Sequence, residues 1–252
     1  MLEFLSKLRV DSPLCVSIVG AGGKTTLLSL LAKQLHGRNI CTTTTKLACQ
    51  EASLFSRHLD LRSQFFDPTQ LRYLERDLLI TNGPTQKGRE NKLQGLNEAQ
   101  LNQVWKYCQD SCANLLIEAD GAKRKLLKAP ADWEPVIPEF TDLVICVFCP
   151  DILGQSLNED NVFRSQLFAG VTGSNLGEVI DGKMLTRYLI HPQGGFKNIP
   201  DQARKILFSN SHGSGFMESA FGDEEIQTLA THFDHFFEGN LKQDGLLARQ
   251  VF

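Results

Sequence analysis

Three glycines, a lysine and two threonines stand together at Gly20-Ala21-Gly22-Gly23-Lys24-Thr25-Thr26, directly after the apolar run Leu14-Cys15-Val16-Ser17-Ile18-Val19. The run has the composition of a buried strand, and the residues after the glycines (Leu27, Leu28, Leu30, Leu31, Leu35) recur at helical spacing. Gly37 sits where a helix commonly places its terminal glycine. The spacing therefore predicts strand, tight turn and helix in immediate succession, and Asn39 to Thr44, rich in threonine, predicts a second strand. Strand–helix–strand with so short a first turn opens a parallel sheet.

A glycine turn between a buried strand and a helix exposes successive backbone N–H groups at the positive end of the helix dipole, which is an anion cradle. Lys24 then reaches the outer phosphates of a nucleotide and the Thr25 hydroxyl becomes a magnesium ligand. Gly20, Ala21, Gly22, Gly23 and Thr26 supply the backbone around it, Thr26 as a phosphate contact or a helix cap. In the usual pattern a further glycine stands where this chain has Ile18; the shorter G-x-x-G-K-T-T form resembles the phosphate loop of the Mur ligases and folylpolyglutamate synthases. The predicted fold is α/β, with a mostly parallel sheet in a P-loop NTPase-like domain and helices on both faces. It spans residues 1–252, with room for a small insert at about 60–110.

Leu78 to Thr81 predicts a strand into the turn Asn82-Gly83-Pro84, with Lys92 to Leu96 as its hairpin partner. Asn97 and Gln100 form a capping-box pair opening a helix through Trp105 to Cys108. Leu115-Leu116-Ile117 and Leu143 to Phe148 are buried strands. Lys205 to Ser209 is predicted as the last strand, followed by an amphipathic helix from Asp223 to Phe237 with Ile226, Leu229, Phe233, Phe236 and Phe237 on its apolar positions.

The strand at 115–117 ends in Glu118-Ala119-Asp120-Gly121. Carboxylates at the carboxyl end of a neighbouring strand are placed to meet the magnesium of a phosphate loop, or to orient an attacking water. Glu118 and Asp120 are thus both catalytic and metal-ligand candidates, with their division of roles open. Lys123, Arg124, Lys125 and Lys128 follow at once, and Lys128, restrained by Ala129-Pro130, is the leading phosphate or substrate contact among them. Thr45 and Lys46, at the end of the second strand, are candidates for the same crevice.

Composition narrows the classes. The net charge of −3 gives no overall basic field for nucleic acid. The longest apolar run, Leu143 to Cys149, is seven residues, against ~20 for a membrane span. Met1 to Ser6 carries an acid and lacks the apolar stretch of a secretory signal, and seven cysteines, an odd number, favour free thiols in the cytoplasm. Cys146 and Cys149 have CxxC spacing, but a strand sends residues three apart to opposite faces. Cys108 and Cys112 can share a helix face.

Taken in order, G-A-G-G-K-T-T, T-T-T-T-K (Thr42 to Lys46), E-A-D-G-A-K-R-K-L-L-K-A-P (Glu118 to Pro130), E-P-V-I-P (Glu134 to Pro138), Asp151 to Gly154, Asn161 to Arg164 and His191 to Lys197 resemble the YqeC-type accessory proteins of selenium-dependent molybdenum hydroxylases. The similarity runs from about residue 14 to 210. It implies a cytoplasmic nucleotide-binding protein that serves the maturation of such a hydroxylase, with the enzyme or its cofactor as partner, and it adds Arg164 and Lys197 to the site. Where the family is expected to carry histidine, this chain has Trp133 and Phe163. After the last predicted strand, Phe208-Ser209-Asn210-Ser211-His212 lacks the lysine and aspartate of a guanine-reading N-K-x-D element, so ATP is favoured, with GTP still open. Three activities fit: magnesium-dependent hydrolysis, ATP-dependent kinase or ligase chemistry on a small anionic substrate, and a nucleotide-switched binding module without turnover.

Overall fold

The computed structural model describes residues 2–8, 13–62, 77–85, 91–211, 221–243 and 245–252. His212 and the segments 63–76 and 86–90 of the predicted insert lie outside them.

The sheet is built from β1 (Cys15–Gly20), β2 (Asn39–Thr43), β4 (Arg57–Asp60), β5 (Asp77–Thr81), β7 (Asn114–Glu118), β9 (Leu143–Phe148), β11 (Arg204–Asn210), β12 (His235–Gly239) and β13 (Ala248–Gln250). Their order is β13-β12-β11-β9-β1-β7-β2-β5-β4, with β1 at the centre. Every pairing is parallel except β12 with β13. Two short pairs stand outside it: β3 (Lys46–Ala48) with β6 (Lys92–Gln94), antiparallel, and β8 (Leu127–Lys128) with β10 (Val162–Phe163), parallel.

Parallel strands covered on both faces are apolar throughout, and alternation then decides which core each residue enters. Val16 and Ile18 of β1 pack with α1 (Leu2–Leu8) and α2 (Lys24–Gln34), through Phe4, Leu8, Leu27, Leu28 and Leu31. Cys15 and Val19 face the other way, toward α3 (Glu98–Ser111), α4 (Ser165–Thr172), α5 (Gly182–Ile190) and α6 (Asp223–Ala230). The expected fold class, with helices on both faces, is what the chain forms.

The capping box of α3 forms as read: Gln100 N–H donates to Asn97 Oδ1 at 2.9 Å and Asn97 N–H to Gln100 Oε1 at 3.0 Å. Three local expectations are corrected. The helix predicted to run to Phe237 stops at Ala230, and Phe236 and Phe237 belong to β12. Phe236 enters one core and Phe237 the other, which only a strand can do with adjacent residues. Lys205 to Ser209 is therefore not the last strand. The expected hairpin partner is met just beyond β5, where Pro84 bridges Leu93 antiparallel, Asn82 N–H donates to Gln94 O at 2.8 Å, Gln94 N–H to Gly83 O at 2.7 Å and Thr85 N–H to Lys92 O at 2.9 Å; on its other edge Lys92 to Gln94 pairs with Lys46 to Ala48. Cys108 is buried, whereas Cys112 is the exposed left-handed residue ending α3, so the two do not share a face. The stretch 60–110 supplies β5 and α3 to the main layers.

Candidate functional site: a cationic cleft over the glycine loop

The loop between β1 and α2 is shaped by close backbone approach. Gly20 has φ of 98°, and a Cβ there would lie 2.1 Å from the Val147 carbonyl oxygen. Gly23 has φ of 135° and caps α2; its Cβ would meet the Asn210 side-chain nitrogen at 2.4 Å. Only glycine meets both demands. Asn210, at the end of β11, fastens the loop from beyond: its Nδ2 donates to the Gly22 carbonyl at 2.6 Å and its Oδ1 accepts from Leu241 N–H at 3.0 Å.

Register brings the acids to this loop. β1 and β7 are neighbours with Ile18 opposite Glu118, so the carboxylates emerge where the glycines begin. Thr25 Oγ1 donates to Glu118 Oε2 at 2.8 Å. Gly20 N–H donates to Asp120 Oδ2 at 3.1 Å. Lys24 curls back over its own loop, with Nζ 2.7 Å from the Gly20 carbonyl, 3.2 Å from Asp120 and 3.9 Å from Glu118.

From Asp120 the charges alternate outward. Lys128 Nζ lies 3.0 Å from Asp120 Oδ2 and 2.9 Å from Glu134 Oε2, and it also donates to the Gly121 carbonyl. Arg164 Nη1 meets the same Glu134 oxygen at 2.6 Å and the Ala129 carbonyl at 3.0 Å. Burial disfavours the charged form of both inner acids, and their neighbours decide the outcome. Burial pushes the Glu118 carboxyl up to about 7, incompletely offset by Lys24 and the Thr25 hydroxyl. Asp120 feels the same burial, but Lys24, Lys128 and the Gly20 N–H outweigh it and hold the carboxyl below its ordinary value. Lys24 is correspondingly held as the ammonium, its burial outweighed by the two acids.

These groups open into a cleft of about 480 Å³ that also takes in Thr26, Thr45, Lys46 and Arg164. Eight lysines and arginines line it against three glutamates, a concentration of positive charge in a chain of net charge −3. Lys128 contributes from behind: it is 1% exposed and wholly engaged by carboxylates and a carbonyl. Lys197 is not brought to the cleft; its ammonium donates to the Ala131 carbonyl at 2.7 Å and holds the 129–135 loop. Glu134, Asn210, Lys92 and Lys242 join the site without having been singled out as site residues in the sequence. Glu134 stood in the E-P-V-I-P motif; the residues around Lys92 and Lys242 carry no binding pattern of their own, and the fold brings both to the cleft. Cys146 and Cys149 are buried, and desolvation pushes both thiols up to about 12.

A central parallel sheet clad on both faces, a glycine turn feeding a helix N-terminus and acids on the adjoining strand define a P-loop NTPase-like α/β protein. The profile described as YqeC protein matches residues 16–166, and the chain belongs to that family. It is similar to a protein of Escherichia coli (strain K12) described as "Uncharacterized protein YqeC", 32% identical over 247 residues that cover 94% of this chain and 91% of the relative. No helix among the described residues is long and apolar enough to cross a membrane.

Proposed function

We propose that this protein binds a magnesium nucleoside triphosphate, ATP in preference to GTP, on the loop Gly20 to Thr26 and hydrolyses it. The observation that carries the reading is the contact of Thr25 with Glu118 at 2.8 Å, which joins a helix N-terminus to a strand end 93 residues away beside a glycine cradle. One hydroxyl and one carboxylate are hard oxygen donors, too few to cage a cation alone, and they suit magnesium, which completes its shell from phosphates and water. Thr25 and Glu118 would hold the ion, directly or through water, and Asp120 would stand behind them. When bound, magnesium neutralises charge on the outer phosphates.

The chain's own groups do the rest. Backbone N–H groups of the loop receive phosphate oxygens. Lys24 exchanges the Gly20 carbonyl for an outer phosphate and offsets charge that develops during cleavage. Asp120, ionised and pinned by the Gly20 N–H, keeps Lys24 and Lys128 aligned. Where Glu118 holds the ion through water, its carboxylate at the strand end beside Thr25 is placed to orient the attacking water. ATP is favoured because both ends of the Asn210 side chain are committed to backbone groups and no lysine or aspartate of a guanine-reading element accompanies it.

On the motif resemblance we extend the proposal to an accessory role in the cytoplasm, in maturation of a selenium-dependent molybdenum hydroxylase. Calorimetric titration with Mg-ATP and Mg-GTP tests the central claim. Lys24→Ala removes a charge-assisted hydrogen bond of about 1.5–3 kcal/mol, so affinity should fall at least ~10-fold. Unchanged affinity in that variant would sink the reading.

A further inference from the structure

The outer wall of the cleft carries strain that nucleotide binding at the glycine loop does not account for. Lys125 N–H donates to the Ala122 carbonyl at 3.0 Å, closing a four-residue turn whose central residues, Lys123 and Arg124, have φ of 48° and 62°. Positive φ at both central positions is the signature of a type I′ turn, where Asn-Gly is favoured. A lysine and an arginine hold these positions instead. Arg164 is also left-handed, with φ of 63°. Among the described residues five non-glycine positions have positive φ, and three of them are these cleft cations. Backbone strain concentrated on a functional surface points to the side chains it presents.

Those side chains are set side by side. Lys123 Nζ lies 4.6 Å and the Arg164 guanidinium carbon 4.3 Å from the centre of the same Phe163 ring, so one aromatic face-former gathers cations from two separate loops. Among the described residues neither Lys123 nor Arg124 has a carboxylate partner, and only Nη1 of Arg164 finds acceptors, leaving Nε and Nη2. The neighbouring N-terminus of α4 offers no alternative seat, because Glu159 already accepts from Ser165 N–H and Oγ at 2.8 and 2.9 Å.

We infer that Lys123, Arg124 and Arg164, mounted on Phe163, form a second anion site for a phosphorylated ligand held in the same cleft as the nucleotide. Three cations match a group with two or more negative charges, which a phosphate monoester has and a single carboxylate lacks. The inference rests on the nucleotide reading for what occupies the rest of the cleft.

The experiment is calorimetry with inorganic pyrophosphate in excess magnesium, titrated into protein already saturated with a non-hydrolysable Mg-ATP analogue. The loaded protein should take up one equivalent. The double variant Lys123→Asn, Arg124→Gly, which gives the turn its favoured sequence, should lose this affinity at least ~10-fold while its thermal midpoint stays level or rises, so the loss is not unfolding. Lys24→Ala should lose the analogue and keep the pyrophosphate. No uptake by the loaded protein, or undiminished uptake by the double variant, overturns the second site. Equal loss of analogue affinity in the double variant also overturns it, since the cations then serve the nucleotide's own phosphates. If the analogue itself does not bind, the nucleotide reading fails, and pyrophosphate titrated into the free protein and the double variant reads the wall by itself.

Discussion

Glu118 and Asp120 share a strand end and the same burial, yet they are driven in opposite directions, because Asp120 has two ammonium neighbours and a backbone N–H while Glu118 has one ammonium at 3.9 Å and a hydroxyl. This has a measurable consequence in protein free of nucleotide and magnesium. The Glu118 carboxyl titrates at about 7 when folded and near its ordinary 4.5 when unfolded. Between those values the native chain holds a proton that the unfolded chain has released, so stability falls as pH rises through the window. Glu118→Gln should remove that loss, and its thermal midpoint relative to the unsubstituted protein should climb between pH 4.5 and 7. A midpoint difference independent of pH would show that the carboxyl is not raised. The contribution of Asp120 runs the other way: present above its ordinary value of 3.8, it is lost as pH falls through the depressed folded value. Gly20→Ala is a second test at this scale. A methyl 2.1 Å from the Val147 oxygen, at φ of 98°, should cost about 3 kcal/mol or more in denaturant unfolding. The loop, the two acids and Lys24 were legible in the sequence because their chemistry is carried by neighbours along the chain. Lys128 was legible as a cation, but its side chain faces Asp120 and Glu134 inside the protein, which spacing alone does not tell.

At the scale of elements, α3 was readable to its first hydrogen bond, since a capping box is a four-residue device. The segment from Asp223 to Phe237 departs from the helical expectation for a physical reason. Phe233, Phe236 and Phe237 fit helical spacing as well as they fit a turn followed by a strand, and only the partners β11 and β13 decide. If β12 is a strand with its phenylalanines in two cores, Phe236→Ala and Phe237→Ala should each destabilise by about 3–5 kcal/mol, and the double variant should lose nearly the sum. Strong non-additivity in chemical denaturation would mean that the two rings share a core. Lys92 illustrates the remaining gap: the strand it opens was legible as a hairpin partner, but its second pairing, with β3, joins segments far apart in the chain and leaves no pattern around Lys92.

For the whole molecule, a negative chain focuses eight cations on one cleft, so ligand capture should be electrostatic and local. Affinity for a triphosphate should weaken steadily as salt rises from about 50 to about 500 mM, across which the screening length shortens severalfold. Salt-independent binding would contradict the cleft as the site. The alternating series Lys24, Asp120, Lys128, Glu134, Arg164 has a consequence of another kind. Removing one member of a buried pair leaves its partner charged and unmatched, at about 3–5 kcal/mol, whereas removing both is far milder. Asp120→Asn and Lys128→Met should therefore each destabilise more than half as much as their combination. Along a lineage such positions can only drift in step, so related chains should show joint replacement at 120 and 128, and at 134 and 164, in place of independent change.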